Sequence, residues 1–271
     1  MEFGGKVAVI TGAASGIGRA VAVQMARRDV RAMALVDMGE AIEDVAADVN
    51  KTAGRRVAIP FRGDTTDDAF RRSVFDAISA EFGTVTLCVP AAGITRDDLA
   101  VRMDKETGKA RISPVERFRQ VVEVNLVAPV YWSLEMIGRI AEERAANGLK
   151  KWQPSEGMQG AIVFIGSVSS QGNRGQISYA STKAGLEGAA ATIMKEAVYY
   201  GVRCGLIHPG FTDTPMVRAM GDDYISKHIL PFTQLSRLIR PDEIADAICF
   251  MLANSAVSGE LWADAGWHPP A

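Results

Sequence analysis

The chain has 271 residues, 48% hydrophobic and 23% charged, with 30 basic residues against 32 acidic ones and a formal net charge of −2. That length holds one large α/β domain or two small ones, with a sizeable buried core. The composition excludes a mainly disordered chain, and the charge balance lacks the basic excess of a nucleic-acid binder, so no nucleic-acid partner is expected.

Met1 to Lys6 runs straight into the apolar stretch Val7-Ala8-Val9-Ile10. Four residues are too few for a signal peptide or a membrane span, so the expected location is the cytoplasm, with no membrane partner. Further apolar runs follow at 32–36, 57–59, 85–89, 161–165 and 202–207, and a last short strand at 260–262. The longer runs are continuously apolar rather than alternating, as a strand buried on both faces of a parallel sheet requires. Helical patterns fill the intervals at 17–28, 39–53, 67–82, 115–146, 178–200 and 241–253. The third of these opens with cap candidates and first-turn acids, Asp64-Thr65-Thr66-Asp67-Asp68. Repeated βα units predict an α/β fold: a doubly wound parallel sheet of about seven strands, helices on both faces, and a ligand site at the carboxyl ends of the strands. No linker divides the chain, and residues 1–271 read as one domain.

Two connections are long. Thr95 to Pro114 is strongly charged and follows a strand, which places it at the carboxyl edge near any active site, whereas Asn147 to Gly160 belongs at the opposite edge. Cys88, Cys204 and Cys249 are odd in number, far apart and set among apolar neighbours, as core thiols are. His208, His228 and His268 have no ligand-type partner at short spacing, and no metal is expected.

Thr11-Gly12-Ala13-Ala14-Ser15-Gly16-Ile17-Gly18 follows the first strand and opens the first helix. Glycines there permit a tight turn and the close approach of a pyrophosphate, for which the helix N-terminus supplies N–H donors; an ordinary glycine turn has the same composition. The strand before and the helix after it favour a Rossmann-like dinucleotide site. Asp37 ends the second strand about twenty residues on, where a carboxylate accepts the adenosine ribose hydroxyls and repels a 2′-phosphate. Position 15 is a serine rather than a cation. Both features favour NAD(H) over NADP(H), against the alternative that Asp37 only caps the next helix.

Ser178-Tyr179-Ala180-Ser181-Thr182-Lys183 sets Tyr179 and Lys183 one helical turn apart, with Ser167 upstream just past the fifth strand. A phenol is a poor base at neutral pH, and an adjacent ammonium is expected to stabilise the phenolate and lower its pKa. Such a pair exchanges a proton with a secondary alcohol or carbonyl, and Ser167 can hydrogen-bond the same oxygen. Alone, the pair also fits a solvated helix face; beside the glycine loop it reads as chemistry.

With these motifs the chain resembles the single-domain branch of the short-chain dehydrogenase/reductase family over nearly its whole length. The resemblance implies a tetrad of Asn125, Ser167, Tyr179 and Lys183: tyrosine as acid/base, serine positioning the substrate oxygen, lysine also on the nicotinamide ribose, asparagine holding a relay water. It implies that Asp64, with Thr65, meets the adenine ring. It places Pro209, Gly210, Thr212 and Thr214 beside the nicotinamide, with the two threonines near its carboxamide. Gly166-Ser167-Val168, Gly172-Asn173-Arg174-Gly175-Gln176 and Gly93-Ile94-Thr95-Arg96-Asp97 are most similar to 3-oxoacyl-(acyl carrier protein) reductases. One departure is plain. The family's Asn-Asn-Ala-Gly is here Pro90-Ala91-Ala92-Gly93, from which a local repacking with cofactor binding retained is expected, Ala92 and Gly93 still admitting the backbone.

These readings predict an oxidoreductase moving hydride between a nicotinamide and a secondary alcohol or ketone, with an acyl thioester as one substrate class. The alternative is a non-catalytic NAD(H)-binding sensor or scaffold. Residues 211–235 mix apolar anchors with charges, as a mobile substrate lid does, though ordinary helix packing gives the same pattern. Arg96, Arg102, Lys105, Lys109 and Arg111 suit an acidic carrier or a solvated loop. The resemblance further implies a homotetramer, built partly on the small-residue face Ala180, Ala184, Gly188 and Ala191. Trp262, Trp267 and His268 then pack on a neighbouring subunit or on their own core.

Overall fold

A computed structural model describes residues 2–267; His268 therefore lies outside the described residues. In chain order, β1 (Val7–Thr11), α1 (Gly16–Arg27), β2 (Ala32–Asp37), α2 (Ile42–Ala53), β3 (Ala58–Arg62), α3 (Asp68–Phe82) and β4 (Leu87–Pro90) come first. A hairpin follows, β5 (Val101–Met103) and β6 (Ala110–Ile112), then α4 (Val115–Val122) and α5 (Ala128–Ala146). The last part holds β7 (Gly160–Ile165), α6 (Ile177–Ala197), β8 (Val202–Pro209), α7 (Pro215–Arg218), α8 (Asp222–His228), α9 (Pro241–Ala253) and β9 (Gly259–Ala263).

Among the described residues seven strands form one sheet in the order β3-β2-β1-β4-β7-β8-β9, every pair parallel. The continuous apolar runs divide by residue parity. Val7 and Val9 of β1, and Ala32, Ala34 and Val36 of β2, join a core around Trp132, Phe75 and Phe164; Ala8, Ile10, Met33 and Leu35 join the core on the other face, around Met25, Ile42 and Ile248. Period-two side chains between two helical layers explain why neither face of these strands is polar. Asp67 caps α3, accepting N–H bonds from Ala69 and Phe70.

Three segments differ from the sequence expectation. The charged connection 95–114 contains the β5–β6 hairpin, whose residues are exposed throughout. The helix expected over 115–146 is interrupted by a π-turn at Glu123–Val127, centred on Asn125. The segment 147–160 carries a 3₁₀ turn at Pro154–Glu156, closed by reciprocal Gln153–Glu156 bonds and by Arg144, whose buried guanidinium meets Glu156 at 2.5 Å. Residues 211–235 form α7, α8 and a 3₁₀ turn over a small core in which Ile225 and Ile229 meet Leu238 from the next segment, with Phe211, Val217 and Leu230 against it. No helix among the described residues is long and apolar enough to cross a membrane.

Candidate active site

The strand order turns between β1 and β4, and two adjoining clefts open at the carboxyl ends of the strands, as a doubly wound sheet dictates. The larger, of about 680 Å³, is lined by Gly12, Ser15, Gly16, Ile17, Gly18, Asp37, Asp64, Thr65, Ala92, Gly93, Tyr179, Lys183 and Thr214. The smaller, of about 300 Å³, is lined by Ser167, Tyr179, Pro209, Gly210 and Thr212 and, beyond them, by Thr95, Asp97, Gln176, Phe211 and Met220. Tyr179 and Thr214 border both. Each residue expected at the cofactor therefore lies on one cleft or both.

The glycine loop has the shape its composition predicted. Gly12 (φ 65°) and Gly16 (φ 53°) are left-handed, and a Cβ at Gly12 would stand 2.7 Å from the Ala92 backbone. A Cβ at Gly18 would meet the Gly12 carbonyl oxygen at 2.3 Å. Only glycine fits these positions. Ser15 caps α1 without a side-chain hydrogen bond, and no acid lies in the first turn, so the N-terminal N–H groups remain directed at the cleft. These features fit a pyrophosphate.

Asp37 sits at the rim. One carboxylate oxygen accepts the Ala14 N–H at 3.0 Å and the other the Gly39 N–H at 2.9 Å, so Asp37 closes its own turn as well as facing the cleft. The altered Pro90-Ala91 segment is braced by Thr11, whose hydroxyl accepts the Ala92 N–H (3.1 Å) and whose carbonyl accepts the Ala91 N–H (3.2 Å). Asn125 binds Ile94 twice, accepting its N–H (2.8 Å) and donating to its carbonyl (2.9 Å). The π-turn thus pins the loop after β4. Asp64 folds into a turn of its own, accepting from the Thr66 N–H and hydroxyl. Thr214 caps α7 through the Val217 N–H, and the Thr212 hydroxyl donates to the Gly210 carbonyl.

Tyr179 and Lys183 share a face of α6, but not with the direct phenol–ammonium contact the spacing suggested. Lys183 Nζ donates to the Ile165 carbonyl at 2.6 Å and lies 5.4 Å from the Tyr179 ring centre. Tyr179 is partly exposed as a residue, yet its hydroxyl is enclosed; burial pushes it up to about 12, opposed by a hydrogen bond from Ser167. The expectation that the ammonium lowers this pKa is corrected: desolvation raises it, and the Asp97 charge adds to the rise. Burial also holds Lys183 down, to about 8. Ser167 Oγ accepts the Ser169 N–H at 3.1 Å, which leaves its own proton free to be donated.

One polar residue escaped the sequence reading. His208, fully buried on β8, reaches the Ser167 backbone through Nδ1 and Glu260 through Nε2. Glu260 lies 52 positions away, so no local spacing could reveal the pair. Trp262 stacks on the same imidazole within its own chain, and Trp267 meets Phe211 edge-on. The three cysteines are buried and unpaired, and burial raises each thiol.

A parallel sheet with a glycine-cradled dinucleotide cleft opening onto a Ser–Tyr–Lys cluster defines a nicotinamide-dependent oxidoreductase. Residues 6–225 match the family described as short chain dehydrogenase, and the chain belongs to that family. It is 32% identical over 263 residues to the 3-oxoacyl-(acyl-carrier-protein) reductase FabG of Escherichia coli, covering 96% of each chain. It is 31% identical to cis-4-hydroxycyclohexanecarboxylate dehydrogenase of Sinomonas cyclohexanicum, covering 98% and 97% of the two chains. It is 29% identical to the (3R)-3-hydroxyacyl-CoA dehydrogenase of Canis lupus familiaris, covering 92% and 90%. A short-chain type dehydrogenase/reductase of Mycobacterium marinum has the same fold, with a TM-score of 0.82 at 23% identity over 99% of this chain and 98% of that one.

Proposed function

We propose that this chain interconverts a ketone and a secondary alcohol with NAD(H), with Tyr179 as the acid/base and 3-oxoacyl thioesters as the substrate class to try first. The observation that carries the chemistry is the position of Tyr179 on both clefts, with Ser167 lining the smaller one beside it. A reduced nicotinamide bound in the larger cleft would supply hydride to the carbonyl carbon. Tyr179 gives its phenolic proton to the carbonyl oxygen, and Ser167 donates a hydrogen bond to that oxygen as it gains charge. Lys183 lines the larger cleft, where it would hold the nicotinamide ribose, and Asn125 holds the loop that follows Ala92 and Gly93. The thioester class rests on similarity to two acyl-group oxidoreductases and on the apolar wall of Phe211, Met216, Val217 and Met220.

The NAD(H) preference rests on Asp37. Its oxygens each keep a lone pair for the ribose hydroxyls, and its charge repels a 2′-phosphate. Arg62, which stands in register with Asp37 on β3, is occupied by Glu40 at 2.9 Å. The test is a fluorescence titration with NADH and NADPH, repeated on Tyr179→Phe. Tight NADH and weak NADPH binding are expected, and equal or reversed affinities would overturn the Asp37 reading. Tyr179→Phe should lose about 10³-fold or more of turnover with NADH affinity intact. A variant that keeps its turnover would overturn Tyr179 as the acid/base, and a wild type that binds NADH without turning over any ketone or alcohol would leave the sensor reading standing.

Residues 1–271 act as one unit in this reading, located in the cytoplasm, with segment 211–235 as the substrate lid. A homotetramer is proposed as well, α4 to α6 supplying one two-fold contact; Gly188 and Ala191 lie on an open face of α6. Sedimentation at micromolar concentration should give four times the monomer mass, and a monomer would end that proposal.

A further inference from the structure

His208 stands outside both clefts, yet it is bonded to the backbone of a residue that borders one. Its Nδ1 is 3.3 Å from the Ser167 nitrogen and 3.1 Å from the Ser167 carbonyl oxygen. Nδ1 accepts the N–H when it carries no proton and donates to the carbonyl when it does, so it meets the Ser167 main chain in either state. On the far side, Nε2–H donates to Glu260 at 3.1 Å, with Glu187 of α6 at 3.8 Å; a carboxylate only accepts, which fixes the proton on that nitrogen. The ring is clamped flat against Trp262, with centroids 4.0 Å apart and planes at 14°. Space beneath Ser167 is cleared for it as well: a Cβ on Gly166 would stand 2.7 Å from Nδ1.

We infer that His208 is a positioning residue for the reaction, a strut whose Nδ1 holds the Ser167 main chain and so fixes where the Ser167 hydroxyl points, with Glu260 on β9 setting the tautomer. The inference rests on the proposed role of Ser167. Ser167 lies two residues past the buried strand β7 and caps the 3₁₀ turn Val168–Gln171, from which the Ser169 N–H donates to its hydroxyl. A side chain that sets a reacting hydrogen bond must be held within about 0.5 Å, and a misplacement of about 1 Å costs up to about 100-fold in rate. The loss falls on kcat because the cofactor cleft is built by other residues.

Two substitutions separate the two ends of the strut. His208→Asn keeps a polar atom near the Nδ1 position, within reach of Ser167, and gives up Glu260. His208→Gln reaches towards Glu260 and gives up Ser167. Turnover of an acetoacetyl thioester is measured per NADH-binding site, so that unfolded protein does not count, alongside hydrogen exchange of the peptide holding residues 163–170. His208→Gln should lose roughly 10- to 30-fold in kcat, with KM and NADH affinity within about twofold. His208→Asn should stay within about threefold of the wild type. Exchange at Ser167 should be slow in the wild type and His208→Asn and fast in His208→Gln. Equal losses in both variants, or equal exchange in all three proteins, would show that the ring only fills space. A wild type inactive on every ketone would count against the proposed function alone, since the exchange pattern still decides the strut. Glu187, His208 and Glu260 also bring ligand-type atoms within 4.8 Å of one another. Zn²⁺ raising the melting temperature in a Glu260-dependent way would replace the proton-bridged strut with a metal centre and overturn the inference.

Discussion

Tyr179 and Lys183 lie four positions apart on α6, and burial acts on them in opposite senses. Desolvation disfavours the charged form of each, so the phenol is pushed up to about 12 and the ammonium down to about 8. At neutral pH the site therefore holds a protonated phenol, ready to act as an acid. Ketone reduction needs that form and should run at a constant rate between pH 6 and pH 8. Alcohol oxidation needs the phenolate, which grows about tenfold per pH unit below the pKa, so kcat/KM for oxidation should climb steeply with pH. Rates measured in both directions across this range check the sign, and a flat oxidation profile would refute it. The tyrosine–lysine spacing was visible in the sequence because i and i+4 side chains meet on any helix. The sense of the pKa shift was not, because it depends on the enclosure built by Ser167, Ile165 and the strand ends.

Among the elements, the β5–β6 hairpin shows why a charged stretch hides its structure. Pairing of Val101 with Ile112 and of Met103 with Ala110 puts four apolar side chains on one exposed face and Arg102 with Arg111 on the other. The arginine face turns inward to Asp98, whose side chain is 7% exposed and lies 3.3 Å from Arg102, 3.2 Å from Arg111 and 3.6 Å from Arg117. The Asp98 N–H also binds the Gly175 carbonyl, tying the hairpin base to the segment before Tyr179. An isolated two-stranded hairpin is marginal, so this carboxylate is its anchor. Asp98→Ala should leave the fold intact and make residues 102–111 several-fold more susceptible to trypsin, as followed by mass spectrometry of the first cleavage products. Unchanged cleavage would mean that the strand pairing suffices by itself. The strands are three residues long and carry arginines at the pleat positions facing the body, so no alternation towards a core was there to be read. The π-turn at Asn125 escaped for a similar reason, since it answers a long-range pair of bonds to Ile94.

At the scale of the molecule, the two helical layers connect stability to the site. Trp132 of α5 is fully buried against Phe75 and Phe70 and donates to the Thr65 carbonyl at 2.9 Å, beneath the larger cleft. Trp132→Ala should cost about 3–5 kcal/mol, seen as a lower urea midpoint, and should weaken NADH binding because Thr65 loses its support. An unchanged midpoint would show that the cavity closes over. Arg203 fastens the far edge in the same way, donating to the carbonyls of Met251, Leu252 and Val257 and so satisfying the C-terminus of α9.

The amino-acid sequence determined by itself whatever depends on near neighbours along the chain. The strands were legible because both of their faces are apolar, the cofactor loop because glycines at 12, 16 and 18 answer local steric demands, and the Tyr179–Lys183 pair because helical spacing is regular. Tertiary structure alone decided the contacts that join distant segments: His208 to Glu260, Asn125 to Ile94, Asp98 to its three arginines, and the burial that sets the Tyr179 hydroxyl apart from an ordinary phenol. Each depends on which strand lies beside which and on how far water is excluded between them, and neither quantity is carried by any local pattern of residues.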